Sequence, residues 1–117
     1  MRPDQGTPPR LELASTSTGR GPIEAFASQD LNVTLLAWPA DERTPEHVNE
    51  ERDVLIVVIT GSGTIEIDGH AHPLASLHAI LVEKGRRRRI HASADGIRYL
   101  SIHTARGGLQ IKPPARS

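Results

Sequence analysis

Apolar residues along this chain recur in short runs, not at helical spacing. Leu31 to Trp38 (L-N-V-T-L-L-A-W) predicts a strand bounded by Asp30 and by Pro39-Ala40-Asp41. Val54 to Ile59 is a continuous apolar run rich in Val and Ile. It is too short for an ordinary helix and predicts a buried strand, with Gly61 and Gly63 supplying the turn after it. Thr64 to Ile67 alternates, Asp68-Gly69 follows, and His70 to Leu74 resumes, the signature of a tight hairpin. Leu77 to Val82, Arg86 to His91 and Ile97 to Ile102 predict three more strands, with turns at Glu83-Lys84-Gly85 and Asp95-Gly96. Ile23 to Ser28 and Leu109 to Ile111 carry weaker patterns. No helical period longer than about one turn follows residue 30, so the expectation is an all-β sandwich or barrel.

The first 22 residues are rich in Pro, Gly, Ser and Thr. They predict an N-terminal arm over 1–22 with one short strand over 10–14, where Arg10-Leu11-Glu12-Leu13 alternates. A β-barrel domain is then expected over 23–112 and a tail over 113–117, since Pro113-Pro114 ends the pattern.

The chain is organised around Pro45 to Gly63, P-E-H-V-N-E-E-R-D-V-L-I-V-V-I-T-G-S-G, where a charged head meets the longest apolar run. This stretch resembles the first motif of the cupin superfamily: His-x-His, three or four residues, Glu, six residues, Gly. His47 takes the first His position, Asn49 the second, Val54 the Glu and Gly61 the Gly. The second motif (Gly, five residues, Pro-x-Gly, two residues, His, three residues, Asn) falls on Ser76 to Ala92. There its five marked positions read Leu77, Glu83, Gly85, Arg88 and Ala92, with Gly85 alone retained. The resemblance implies a cupin-type double-sheet jelly-roll barrel whose two motifs line one cavity. It also implies an arm that pairs with a second subunit, hence a homodimer; a flexible tail is the other reading of the same stretch.

The four positions that hold a divalent metal in such proteins read His47, Asn49, Val54 and Arg88. Val54 offers no donor atom, and Arg88 places a permanent positive charge where a cation would sit. The expectation is therefore no metal cofactor.

Arg86-Arg87-Arg88-Arg89 divides by strand alternation: Arg88 shares the parity of Ile80, Val82 and Ile90 and would point inward. An inward guanidinium needs partners, and Glu46, Glu50, Glu51 and Asp53 in the acidic head are the candidates. A solvated surface run and an anion-binding pocket are the other two readings. Among the six histidines His47 alone has positional support. His70 and His72 flank the hairpin turn, where exposure is expected; His91 shares a face with Arg87 and Arg89; His103 shares parity with Tyr99 and Ser101.

Composition narrows the picture. At 117 residues, 24% charged and 37% apolar with net charge zero, the chain has the size of one domain and no bias towards nucleic acid or a bilayer. It has no apolar run of membrane-spanning length, and its first residues lack the apolar middle of a secretory signal. With no cysteine there is neither disulfide nor thiolate ligand, and a cytoplasmic location is the default expectation. Phe26, Trp38 and Tyr99 are the only aromatic residues, too few for a base-stacking platform.

Together these features predict a metal-free cupin-fold protein binding a small polar or anionic molecule through His47, Asn49 and Arg88, between apolar walls of Leu36, Val54, Ile56 and Ile90. Such a pocket suits a binding module, or a metal-independent isomerase with His47 as general base and Tyr99 as acid. The alternative is a metal-dependent cupin enzyme (a dioxygenase, isomerase or lyase) holding Fe, Mn, Ni or Zn with a rearranged ligand set that includes His47 and Asn49.

Overall fold

The computed structural model describes residues 7–13 and 19–105. Seven strands follow one another: β1 (Gly21–Ala27), β2 (Leu31–Trp38), β3 (His47–Val48), β4 (Val54–Ile67), β5 (His70–Ala75), β6 (Ala79–Val82) and β7 (Arg87–Thr104). All pairings are antiparallel. Among the described residues no helix is long and apolar enough to cross a membrane. The predicted β2 is reproduced at both ends. The barrel begins at Gly21, inside the stretch assigned to the arm, and the short strand expected over 10–14 is absent from its described residues 10–13. Leu109 to Ile111 and the 113–117 tail lie outside the described residues.

The two long strands make the architecture. The first half of β4 pairs with β6 and with the second half of β7, from Leu55 opposite Ile102 to Val58 opposite Tyr99. Its second half pairs with β5 and with the first half of β7, from Gly63 opposite Ala92 to Ile67 opposite Arg88. Strands β2 and β1 extend the first layer beyond β7, and β3 flanks β7 in the second. Hydrogen bonding is continuous, yet β4 and β7 each serve two layers of a jelly roll.

Both strands change parity where they bend. In β4 the buried side chains are Val54, Ile56 and Val58 before the bend and Ile65 and Ile67 after it. In β7 they are Ile90 and Ala92, then Ile97 and Tyr99. An irregularity at Val58/Thr60 and another at Gly61/Gly63 absorb the switch, so both halves bury side chains in one apolar cluster. The backbones nearly touch there. A Cβ on Gly61 would lie 2.1 Å from the Gly96 carbonyl oxygen, and one on Gly63 2.3 Å from that of His91. The turns predicted at Gly61-Gly63 and at Asp95-Gly96 are therefore bends within continuous strands. Glycine is needed for close approach, and the same residue that licenses a turn also licenses a bulge.

The hairpin at Asp68-Gly69 forms as predicted, with φ of 51° and 85° at its two central residues. Strand β6 starts two residues later than predicted, because Leu77 sits in the turn with φ 69°. Leu77 and Gly85 occupy the two glycine positions of the second motif, and both have left-handed backbone. The local geometry persists at Leu77 although the glycine does not.

Candidate functional site

The cavity between β2, β3 and β7 is built from residues that the strand register brings to one end of the barrel. The β3–β7 pair sets His47 opposite Arg88. Leu36 lies opposite Tyr99, and Trp38 opposite Ile97, on the inward face of β2. The loop ahead of β3 is fastened to β7: the Ile90 N–H donates to Thr44 Oγ1 at 2.9 Å, and the Thr44 N–H donates to the Ile90 carbonyl at 2.9 Å. This places Thr44, Pro45 and Glu46 over the barrel. The resulting cavity, of about 270 Å³, is lined by Leu36, Trp38, Thr44, Pro45, Glu46, His47, Arg88, Ile90 and Tyr99.

Arg88 faces inward, as the parity with Ile90 and Val82 predicted. It is half-buried, and burial pushes its pKa below the ordinary arginine value; the Tyr99 oxygen works the other way. Its Nη1 is buried and has no hydrogen-bond partner among the described residues. The pairing expected with the acidic head is not made. Asp53 accepts the Lys84 N–H at 2.9 Å, Glu51 reaches Arg52, and Glu46 forms none of the ion pairs among the described residues. Arg86, which precedes β7, turns instead to Asp68, with Nε donating to Oδ2 at 2.8 Å.

His47 is exposed at the rim. Burial of part of its ring, and then the Arg88 charge, hold its pKa below the ordinary histidine value, so it is biased towards the neutral form. Tyr99 is buried, and burial raises its phenol pKa, opposed by the hydrogen bond from Trp38 and the Arg88 charge. Trp38 Nε1 donates to the Tyr99 hydroxyl at 3.0 Å. The tyrosine O–H is left to donate elsewhere, while the indole presents its ring to the cavity.

Asn49 is placed elsewhere. Its Oδ1 accepts the N–H groups of Glu51 and Arg52, both at 3.1 Å, and its carbonyl accepts the Gly85 N–H at 2.8 Å. It thus closes a local turn and ties the first motif to the second, and it does not line the cavity. Val54 and Ile56 belong to the buried core and not to the wall, which Leu36 and Ile90 do form. Glu46 lines the cavity beside Arg88 without pairing with it, and Thr44 and Pro45 were not foreseen; a polar loop has no period to reveal which way it folds. Trp38 was readable in principle, since it shares the parity of Leu36.

The remaining histidines do not join this cavity. His70, His72, His78 and His91 are exposed, and His91 instead lines a separate hollow with Asp41, Ser62 and Ser93. His103 Nδ1 lies 2.9 Å from the Thr104 carbonyl. Among the described residues no three His, Cys, Asp or Glu side chains are arranged to hold a metal ion. The residues at the usual metal positions do not fit one: Val54 has no donor atom, Asn49 Oδ1 is committed to two backbone N–H groups, and Arg88 is a cation.

No family description matches the sequence, and no curated protein does. Solved structures match the fold. A cupin protein from Bacteroides fragilis superposes with a TM-score of 0.65 at 20% identity, over 92% of this chain and 97% of that one. A protein with a double-stranded β-helix domain from Klebsiella pneumoniae gives 0.72 at 15% identity, over 84% and 90%. KdgF from Halomonas sp. gives 0.66 at 16% identity, over 72% and 77%. The chain has the cupin fold.

Proposed function

We propose that this cupin-fold chain binds a small anion, without a metal ion, in the cavity lined by Arg88, His47 and Tyr99. One observation carries the reading: a half-buried guanidinium whose Nη1 has no acceptor among the described residues. An unpaired buried donor costs about 1–3 kcal/mol and more when charged, and an anion in the cavity would offset that cost. The neutral-biased imidazole and the tyrosine O–H add hydrogen-bonding groups to mostly apolar walls, the usual makeup of a small-molecule site. His47 and Tyr99 share the cavity, which also favours a second reading, a metal-independent isomerase with His47 as base and Tyr99 as acid.

Trp38 is the sole tryptophan and lines the cavity, so its fluorescence reports occupancy directly. Titration with small carboxylates and phosphates should give a saturable change that disappears in Arg88→Met. A change of equal size and affinity in that variant would sink the proposal. Near-stoichiometric iron, manganese, nickel or zinc in tag-free protein, lost in His47→Ala, would overturn its metal-free part.

A further inference from the structure

We propose that the cavity selects a monocarboxylate with an apolar body over a phosphate, and that Glu46 sets this preference. The inference rests on the anion-binding reading above and gives it a ligand class.

The charge inventory of the lining is small. Among the described residues Arg88 is its one Lys or Arg side chain, and Glu46 is its one carboxylate. The two form no ion pair with each other, so each meets the ligand with its charge intact. A carboxylate carries one negative charge on two oxygens, which a single guanidinium can hold by two parallel N–H bonds. A phosphate monoester carries about −1.5 to −2 near neutral pH on three oxygens. It would bring its extra charge into a lining that already holds a carboxylate and has no second guanidinium or ammonium to meet it. His47 does not fill that role, because the environment disfavours its charged form. Among the described residues none of the lining comes from the N-terminus of a helix, the other common phosphate partner.

The walls argue for the apolar body. Leu36, Pro45 and Ile90 contribute aliphatic surface, and Trp38 offers its ring, since its N–H is already given to Tyr99. The volume of about 270 Å³ falls just under the range of about 300–1,000 Å³ typical of drug-sized pockets, which suits a small metabolite.

The test is calorimetric titration of 3-phenylpropionate, phenyl phosphate and inorganic phosphate into the wild type, Arg88→Met and Glu46→Gln. Glu46 is exposed, so its replacement should leave the melting temperature unchanged. The expected result is 3-phenylpropionate binding at least about tenfold more tightly than phenyl phosphate, with the gap narrowing in Glu46→Gln because phenyl phosphate gains more. Phenyl phosphate binding as well as or better than 3-phenylpropionate, or a gap that Glu46→Gln leaves unchanged, overturns the ligand class. If that binding still depends on Arg88, anion binding itself survives. Binding of no probe, or binding that Arg88→Met does not weaken, overturns both.

Discussion

Arg86 and Arg88 stand two positions apart at the entry to β7 and meet opposite fates. Arg86 is exposed and satisfied, with Nε on Asp68 at 2.8 Å and Nη1 3.7 Å from Glu83. Arg88 is half-buried, and its Nη1 has no partner among the described residues. Asp68, at the hairpin turn, also accepts the Arg87 N–H at 2.9 Å, so Arg86 helps close the turn onto the start of β7. One arginine is explained by the fold it fastens. The other costs the fold free energy, and the cavity it lines gives it a use.

That contrast can be broken experimentally. The largest effect should be on affinity in Arg88→Met, which should lose about 2–5 kcal/mol of anion binding in a fluorescence titration. The melting temperature of the same variant should hold or rise, because a charge with an unmet donor leaves a partly apolar site. A fall of several kcal/mol in stability would show that Arg88 is a structural ion-pair partner after all. Arg88→Lys should bind anions more weakly than the wild type and better than Arg88→Met, since an ammonium keeps the charge and loses the two-pronged geometry. Arg86→Met should leave affinity alone and cost under about 1 kcal/mol in denaturant unfolding, as expected for a solvent-exposed pair.

The smallest effect concerns His47. Its pKa in the fold lies below the unfolded value of about 6.5, so the unfolded chain takes up the proton more readily. Stability from keeping the ring neutral is therefore full above about pH 6.5 and is lost as pH falls through that value towards the folded pKa. A shallow fall in melting temperature below about pH 6.5, reduced in His47→Gln, is the expected outcome. Anion affinity should move the opposite way, strengthening as the ring gains charge.

Much of this was legible beforehand, for local reasons. Period-two alternation from Val82 through Ile90 pointed Arg88 inward, and Asp68-Gly69 announced its own hairpin. The partners were not legible, because which acid reaches which base depends on segments far apart in sequence. Asp53 was taken by the Lys84 backbone, and Asn49, expected to bind ligand, closes its own turn. The unbroken course of β4 and β7 was hidden as well. A glycine in the left-handed region marks a turn or a bulge alike, and only the opposing backbone decides between them.

The close approach of β4 and β7 at Gly61 and Gly63 has a consequence for how the protein comes to exist. Arg88 sits on the half of β7 held by the end of β4, and Tyr99 on the half held by its beginning. Neither wall of the cavity can form from neighbouring segments, since each needs the chain to close a long loop first. Such non-local pairing makes for slow folding. It also ties the opening of either wall to the loss of a strand that both walls share, so the cavity should exchange its amides as one cooperative unit with the barrel.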